Sequence, residues 1–256
     1  MEEDLTKLFS LENKVAIITG GSGALGKIIA KAFVAFGAKV ILIGRNKEKL
    51  ESAIKEIGSE NVSFEIADVT QEKSLEKVAA QIYDKYGRID ILVNAHGINL
   101  RIPTEEYPTE KWEEVVKTNL EGTFISCKVF GRYMIRQRSG KIINISSTAG
   151  KSGYEFGYAA YSPSKAGIDA LTRVLAVEWA KYNIQVNAIA PYFILTPLTE
   201  NFLKNEEIRN KIISEIPLKR LGKPIDIVGA VILLASKASD WITGQIIYID
   251  GGYTAH

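Results

Sequence analysis

The fold is decided by residues 15–26, which read VAIITGGSGALG. The first five residues are an apolar, β-branched run of the kind that forms a buried strand. A glycine-rich turn follows and leads into helical apolar spacing over residues 25–36. Such a turn lets the backbone approach a pyrophosphate, while the helix N-terminus presents free N–H groups and a positive dipole. The stretch predicts a strand, a phosphate-binding turn and a helix.

The alternation of strands and helices continues along the whole chain. Six further runs predict strands at 40–43, 62–66, 89–93, 141–145, 185–188 and 245–249. Helical apolar spacing occurs at 75–86, 112–136, 164–182 and 225–236. Apolar strands joined by helical crossovers predict an α/β fold, which is doubly wound and Rossmann-like, with a seven-stranded parallel sheet and helices on both faces.

The chain shows no linker, composition break or internal repeat, so we expect one domain over residues 1–256. The longest stretch without a predicted strand runs from Pro191 to Pro217. Helical spacing at 199–214 lies between these prolines. We therefore expect a substrate-lid insertion at about 192–216, at the carboxyl edge of the sheet.

Composition argues against several classes of function. The 32 Lys and Arg residues balance 30 Asp and Glu residues without forming a basic stripe, so we expect no nucleic-acid partner. No apolar stretch is long enough to span a membrane, and the acidic first residues are unlike a secretory signal, so we expect a cytoplasmic protein. Cys127 is the only cysteine and His96 and His256 are the only histidines, so we expect a buried thiol and no metal site.

Residues 161–165, YSPSK, indicate proton-transfer chemistry. Residues four apart share one face of a helix, so Lys165 is expected near the Tyr161 hydroxyl. A neighbouring ammonium favours the phenolate and is expected to lower the tyrosine pKa from its usual value of about 10. The pair could therefore supply the proton that carbonyl reduction requires.

The chain resembles the short-chain dehydrogenase/reductase family from Lys14 to Gly252, and six motifs of that family occur in order. The first is the glycine turn at 19–26, in which Ala24 stands at the family's middle glycine, a change that a negative φ would accommodate. The others are NAHG at 94–97, TNLEG at 118–122, ISSTAG at 145–150, YSPSK at 161–165 and PYFILT at 191–196. In the last of these Tyr192 replaces the usual glycine.

The resemblance implies a catalytic tetrad of Asn119, Ser147, Tyr161 and Lys165. Alignment on Gly150 selects Ser147 rather than Ser146 as the hydroxyl that binds the carbonyl oxygen. Tyr161 would donate the proton, and Asn119 would distort a long helix and hold a water that links Lys165 to solvent.

The resemblance also implies a nicotinamide cofactor. Its expected contacts are Gly20, Ser22, Gly23, Leu25, Gly26, Arg45, Asp68, Val69, Asn94, Gly97, Tyr161, Lys165, Pro191, Ile194 and Thr196. His96 lies in one of these motifs, and we favour a packed or surface histidine over a cofactor contact. Gly44 stands where NAD enzymes usually place an acidic residue, and the guanidinium of Arg45 could pair with a 2′-phosphate. We expect NADP to be preferred and NAD to be possible.

The substrate is suggested by a narrower likeness. Residues 94–103 and 248–255 are similar to the gluconate 5-dehydrogenase and sugar-acid dehydrogenase branch. In that branch an arginine, here Arg101, follows the glycine turn and could bind a carboxylate. Ser147, Tyr154 and Tyr192 complete the expected substrate contacts. An aromatic set around the pocket would also suit bulkier ketones: Tyr154, Phe156, Tyr158, Tyr192 and Phe193.

Three functions stay open. The first is hydride transfer between nicotinamide and a keto-sugar acid or polyol. The second is 3-oxoacyl-carrier-protein reduction or broad alcohol and ketone reduction, for which one helix offers a weak docking patch of Lys128, Arg132, Arg136 and Arg138. The third is an NADP-binding sensor without turnover, which would not need the tetrad. Likeness to the family also implies a homotetramer or dimer that pairs through the helices at 112–136 and 164–182.

Overall fold

The computed structural model describes residues 5–155 and 157–255. Seven strands form one parallel sheet in the order β3-β2-β1-β4-β5-β6-β7. The strands are β1 Val15–Thr19, β2 Lys39–Gly44, β3 Val62–Ile66, β4 Ile91–Asn94, β5 Gly140–Ile145, β6 Ile184–Pro191 and β7 Ile246–Ile249. The predicted doubly wound, Rossmann-like fold is confirmed.

The helices alternate with the strands along the chain. They are α1 Ala24–Ala35, α2 Lys47–Ile57, α3 Glu72–Tyr86, α4 Thr109–Val116, α5 Gly122–Gln137, α6 Tyr161–Trp179, α7 Pro197–Leu203, α8 Glu206–Glu215 and α9 Val228–Ala235. Within the described ranges, none of them is both long enough and apolar enough to cross a membrane.

Helix α2 was not predicted, although its sequence carries both end signals. The Asn46 side chain accepts a hydrogen bond from the Lys49 N–H at 2.7 Å and so caps the N-terminus. Gly58 ends the helix in the left-handed conformation, with φ of 68°. Helix α2 begins three residues after β2 ends, so its first turn lies near the carboxyl edge of the sheet.

Two predicted helices are interrupted. The helix expected at 112–136 consists of α4, a π-helical segment at Lys117–Glu121 and α5. The helix expected at 199–214 is divided into α7 and α8, because Asn205 accepts a hydrogen bond from the Ile208 N–H at 3.2 Å and starts a new helix. Helices α7 and α8 cover a small apolar cluster that includes Phe193 and Leu203.

The strand residues alternate between two apolar layers. In β1, Ala16 and Ile18 pack with α1, α2 and α9 on one face of the sheet. Val15 and Ile17 pack on the other face with apolar residues of α3, α5 and α6. Burial on both faces explains the nearly continuous apolar runs in the sequence.

The strand order reverses between β1 and β4, which are neighbours in the sheet. From this point β2 and β3 lie on one side and β5 to β7 lie on the other. Loops that leave β1 and β4 diverge and open a crevice at the carboxyl edge, which is where doubly wound sheets bind ligands. The predicted glycine turn and the segment at 94–97 both lie at this crevice.

Candidate active site

The glycine turn brings backbone atoms unusually close together. Gly20 has φ of 66°, and a Cβ at this position would lie 2.7 Å from backbone atoms of His96. A Cβ at Gly26 would lie 2.5 Å from the Gly20 carbonyl oxygen. Ala24 begins α1 without a positive φ, so it is accommodated at the usual glycine position. No side chain caps the N-terminus of α1, so its first N–H groups are available to an anion.

A cavity of about 570 Å³ extends from this turn to the predicted catalytic residues. Ten of the predicted cofactor contacts line it: Ser22, Gly23, Leu25, Gly26, Gly97, Tyr161, Lys165, Pro191, Ile194 and Thr196. The cavity combines a helix N-terminus, side-chain-free glycines and a polar far end. These features fit a dinucleotide whose pyrophosphate meets the turn and whose nicotinamide meets Tyr161.

Other predicted cofactor residues stand outside this cavity. Arg45 follows β2 and forms a loose ion pair with Asp68, with 3.8 Å between Nη1 and Oδ2. The Arg45 side chain is two-thirds exposed, which leaves donors free for a phosphate. Val69 packs against Gly122, where a Cβ would lie 2.8 Å from Val69 Cγ2.

Asn94 is a core residue and does not line the cleft. Its side-chain amide donates to Asn144 Oδ1 at 2.9 Å and to the sulfur of Cys127 at 3.3 Å. Asn144 in turn donates to Thr172 Oγ1 at 2.9 Å. This chain of buried hydrogen bonds ties β4 and β5 to α5 and α6, so Asn94 acts on the cofactor site by anchoring the loop that follows it. Burial also raises the pKa of Cys127 to about 12, as expected for an inert thiol.

The side chain of His96 is held from both sides. Its Nδ1 lies 2.7 Å from Thr19 Oγ1, and its Nε2 lies 3.4 Å from Thr123 Oγ1. Burial of the ring, and secondarily the charge of Lys165, lowers the pKa of His96 to about 3. The imidazole is therefore neutral at physiological pH. It packs the turn after β4, although its edge also borders the cofactor cavity.

Asn119 lies in the π-helical segment and is fully buried. Its side-chain oxygen accepts from the Ile98 N–H at 2.8 Å, and its amide donates to the Ile98 carbonyl at 2.9 Å and to Ser164 Oγ at 3.1 Å. The π-helical segment agrees with the expected local distortion. Asn119 thereby joins the loop after β4 to the start of α6, beside Lys165.

Lys165 is buried, and its ammonium donates to the Ile145 carbonyl at 2.7 Å. Its Nζ lies 5.5 Å from the centre of the Tyr161 ring. Burial lowers the pKa of Lys165 to about 8, while the nearby carboxyl of Asp169 opposes that shift.

The expected lowering of the Tyr161 pKa is wrong. Burial raises the pKa of Tyr161 to about 12, and a hydrogen bond with Ser147 only partly offsets this. The reason is geometric, since Lys165 is engaged by Ile145 and faces the ring of Tyr161. Tyr161 therefore carries its proton at neutral pH, which suits a proton donor.

The two serines after β5 have different environments. Ser146 is buried, and its hydroxyl points toward the backbone of Lys165 at 3.4 Å. Ser147 is half-buried, interacts with Tyr161 and lines both the cofactor cavity and a second cavity. The geometry thus favours Ser147 over Ser146 as the hydroxyl for a carbonyl oxygen. A nicotinamide cofactor, when bound, would supply or accept the hydride.

The second cavity, of about 60 Å³, is called here the reaction pocket because it contains Ser147 and Tyr161. Arg101 lies in its wall, with its guanidinium 3.7 Å from the centre of the Phe202 ring. One Nη of Arg101 donates to the Tyr158 hydroxyl at 3.2 Å, while its buried Nε has no partner among the described residues. Tyr154, Tyr158, Tyr192 and Phe193 also line this pocket, and Phe156 lies outside the described residues.

Several site residues were missed from the sequence. Lys49 lines the cofactor cavity from the first turn of α2, the helix that was not predicted. Asn99 lines the reaction pocket, and its Oδ1 has no hydrogen-bond partner among the described residues. Its separation of two residues from Arg101 was the available signal. Phe202 on α7 contacts Arg101 across about one hundred residues of sequence, and no local pattern marks that contact.

Comparison with known proteins agrees with this geometry. A family model described as enoyl-(acyl carrier protein) reductase matches residues 21–254. A 3-oxoacyl-[acyl-carrier-protein] reductase of Thermotoga maritima is 41% identical over 94% of this chain and 98% of its own length. Gluconate 5-dehydrogenase of Gluconobacter oxydans is 35% identical over 96% of this chain and 97% of its own length.

A solved structure of a gluconate 5-dehydrogenase from Burkholderia cenocepacia, in complex with NADP and tartrate, superposes with a TM-score of 0.94. It is 30% identical to this chain, and the match covers 98% of this chain and 99% of that one. Fold, site and relatives together define an NAD(P)-dependent oxidoreductase that acts on alcohol and keto groups. The chain belongs to the short-chain dehydrogenase/reductase family.

The ionisation of Lys165 predicts the pH dependence of carbonyl reduction. Because burial lowers its pKa to about 8, the ammonium is present below that pH and is lost above it. We expect kcat/KM for reduced cofactor, measured at saturating carbonyl, to be constant from pH 6 to 7 and to fall with loss of one proton near pH 8. A profile that stays flat or rises through pH 9 would contradict this assignment.

Asp169→Asn provides a directional control. The Asp169 carboxyl favours the charged form of Lys165, so removing its charge should move the fall in rate to lower pH. An unchanged midpoint, in a variant with wild-type thermal stability, would show that another group governs the profile.

Proposed function

We propose that the chain transfers a hydride between NADP and a keto-sugar acid or polyol, in the manner of a gluconate 5-dehydrogenase. The observation that carries this is Arg101, whose guanidinium borders the reaction pocket and whose buried Nε has no partner among the described residues. A guanidinium in the wall of the pocket that contains Ser147 and Tyr161 is suited to a carboxylate on a small carbonyl substrate. The relatives that are gluconate 5-dehydrogenases support the same class.

The proposed chemistry assigns one role to each member of the tetrad. Ser147 donates a hydrogen bond to the carbonyl oxygen, and Tyr161 gives that oxygen its proton as the carbonyl carbon receives the hydride. Lys165 supplies positive charge beside the ring of Tyr161, and Asn119 fixes the segment that supports Lys165. In the reverse direction the phenolate form of Tyr161, which proton donation leaves, accepts the proton of the alcohol.

Acyl-carrier-protein reduction is the second candidate, favoured by the Thermotoga relative. Two of the four cations in its proposed docking patch are paired with carboxylates of the chain. Lys128 lies 2.8 Å from Glu72, and Arg132 lies 2.6 Å from Glu76. Arg138 donates to the Lys181 carbonyl at 3.0 Å, which engages its guanidinium without neutralising it. The two ion pairs reduce the positive charge that the patch offers to an acidic carrier protein.

The cofactor preference is proposed from the residues after β2. Arg45 is exposed beside the carboxyl edge, and Lys49 borders the cofactor cavity one turn into α2. Lys49 thus adds a second positive charge to that of Arg45. Two cations near the adenosine end favour a 2′-phosphate, so NADP is proposed as the preferred cofactor and NAD as a weaker one.

The assembly is proposed to be a homotetramer, with a dimer as the simpler form. The outer faces of α5 and α6 expose Phe124, Val174 and Val177, the last with 80% of its surface accessible. Apolar side chains on two adjacent long helices suit a helix-on-helix interface with a second copy. Each copy is proposed to be one dehydrogenase domain that acts in the cytoplasm.

Reduction assays with NADPH test the substrate class. The panel contains 5-ketogluconate, 2-keto-3-deoxygluconate, an acetoacetyl thioester and a bulky aromatic diketone. We expect turnover of the keto-sugar acids, and a loss of roughly 10- to 100-fold in kcat/KM for Arg101→Ala, because one charge-assisted hydrogen bond contributes about 1.5–3 kcal/mol. Arg209→Ala, which changes an exposed arginine on α8, should keep wild-type kinetics.

Preference for the thioester or the diketone would overturn the proposed substrate class. Tyr161→Phe should bind NADPH normally and show no turnover. Tight NADPH binding by the wild type without turnover of any compound would instead favour the sensor function.

Binding titrations test the cofactor preference. Arg45→Ala should weaken the binding of NADPH by roughly tenfold or more and leave the binding of NADH nearly unchanged, because only NADPH carries the 2′-phosphate. Lys47→Ala is the matched control, since Lys47 is also exposed near this edge but pairs with Glu51 at 3.7 Å. Equal losses for both cofactors would remove the proposed phosphate contact.

Light scattering on the purified chain tests the assembly. We expect the mass of four chains for the wild type and a smaller species for Val177→Glu, because the new charge would be buried between helices. Leu5→Glu alters a side chain that is 68% exposed on another element and should leave the mass unchanged. A monomeric wild type would refute the proposed interface.

A further inference from the structure

The reaction pocket adjoins a larger cavity. This neighbouring cavity, of about 220 Å³, extends under α8 and is called here the side cavity. Four aromatic residues border both cavities: Tyr154, Tyr158, Tyr192 and Phe193. They form what is called here the aromatic wall. The size of a substrate that reaches Tyr161 therefore depends on where the aromatic wall stands.

Tyr192 is held by two residues that lie outside the aromatic wall. Its ring stacks on Tyr253, with 3.9 Å between ring centres and 9° between ring planes. Its hydroxyl donates to Glu215 of α8 at 3.3 Å. The ring of Tyr154 lies farther away, at 6.0 Å. Tyr192 is thus held by the C-terminal segment on one side and by the lid on the other.

Tyr253 is presented by a well-anchored turn. Asp250 accepts hydrogen bonds from the Gly252 N–H at 2.9 Å, the Thr254 N–H at 2.9 Å and the Thr254 hydroxyl at 2.7 Å. Lys151 donates to the Thr254 carbonyl at 3.2 Å. Tyr253 lines the side cavity and does not border the reaction pocket, so it supports Tyr192 without touching the place of the reacting atoms.

We propose that Tyr253 is a positioning residue that determines substrate size. By stacking on Tyr192, it holds the aromatic wall in place and separates the side cavity from the reaction pocket. The pocket then admits compact carbonyl compounds such as polyhydroxy keto acids and excludes bulky cyclic or aromatic ketones. This inference rests on the proposed function only in taking the cavity beside Ser147 and Tyr161 as the carbonyl site.

Removal of the Tyr253 ring would leave one face of the Tyr192 ring without its stacking partner. Without the Tyr253 ring, the described contacts of the Tyr192 side chain are its edge contact with Phe193, its distant stack with Tyr154, the hydroxyl contact with Glu215 and packing beside the apolar cluster under α7 and α8. The ring can then rotate toward the vacated space and join the two cavities. A compact substrate would lose a wall, whereas a bulky ketone would gain room.

Tyr253→Ala tests the proposal, because a residue that only positions the pocket wall should affect KM more than kcat. With the best compact carbonyl substrate of the wild type, we expect KM to rise at least tenfold and kcat to change less than threefold. The ratio of kcat/KM for a bulky diketone to that for the compact substrate should increase at least fivefold. Tyr253→Phe should retain wild-type ratios, because the stack needs the ring and not the hydroxyl.

Tyr83→Ala is the matched control. Tyr83 packs against Tyr133 at 4.9 Å between ring centres, on helices α3 and α5. Removal of the Tyr83 ring should lower the free energy of unfolding without altering the ratio of kcat/KM between the two substrates. The proposal would be overturned if Tyr253→Ala changed kcat/KM equally for the bulky and the compact substrate. It would also be overturned if Tyr253→Phe shifted the ratio of these two values away from that of the wild type.

A crystal structure of Tyr253→Ala provides a readout that needs no turnover. A displaced Tyr192 ring and a continuous cavity would support the proposal, and an unmoved ring would refute it. Failure of the wild type to reduce any keto-sugar acid would refute the proposed substrate class alone. The size test would then proceed with whichever compact ketone the wild type reduces.

Discussion

The parallel arrangement of the sheet places every functional segment at one edge. All seven strands point the same way, so each loop that follows a strand leaves from the carboxyl edge. The close approach of α1 to β1 makes this edge usable, because a Cβ at Gly26 would lie only 2.5 Å from the Gly20 carbonyl oxygen and only glycine fits there. The free N-terminus of α1 is thereby directed into the crevice between β1 and β4.

Desolvation by burial is the main cause of the pKa shifts in the site. It lowers the pKa values of Lys165 and His96 and raises that of Tyr161, so each shift favours the neutral form. His96 becomes a neutral packing residue, and Tyr161 retains its proton. Lys165 keeps a charge near neutral pH, with help from Asp169. The local hydrogen bonds with Ser147 and Ile145 then fix which atoms face the reaction pocket.

The outer part of the site is built from segments far apart in sequence. Arg101 follows β4, Phe202 belongs to α7 and Tyr253 lies near the C-terminus, yet all three shape the region around the reaction pocket. The Phe202 ring contacts the Arg101 guanidinium, and the Tyr253 ring stacks on Tyr192. Other side chains in these loops would give the same fold a different substrate pocket.

The sequence by itself determined the sheet, the glycine turn and the motif residues from Asn119 to Lys165. These depend on local patterns: apolar periodicity, glycine spacing and a helix turn that brings Tyr161 and Lys165 together. It did not give α2, the division of the lid into α7 and α8, or the place of Lys49.

Only the tertiary structure decided which atoms meet. It put Asn94 in the core, turned the Lys165 ammonium toward Ile145 and set Tyr253 against Tyr192. Side-chain direction and burial depend on neighbours that are distant in sequence, and no local pattern records them.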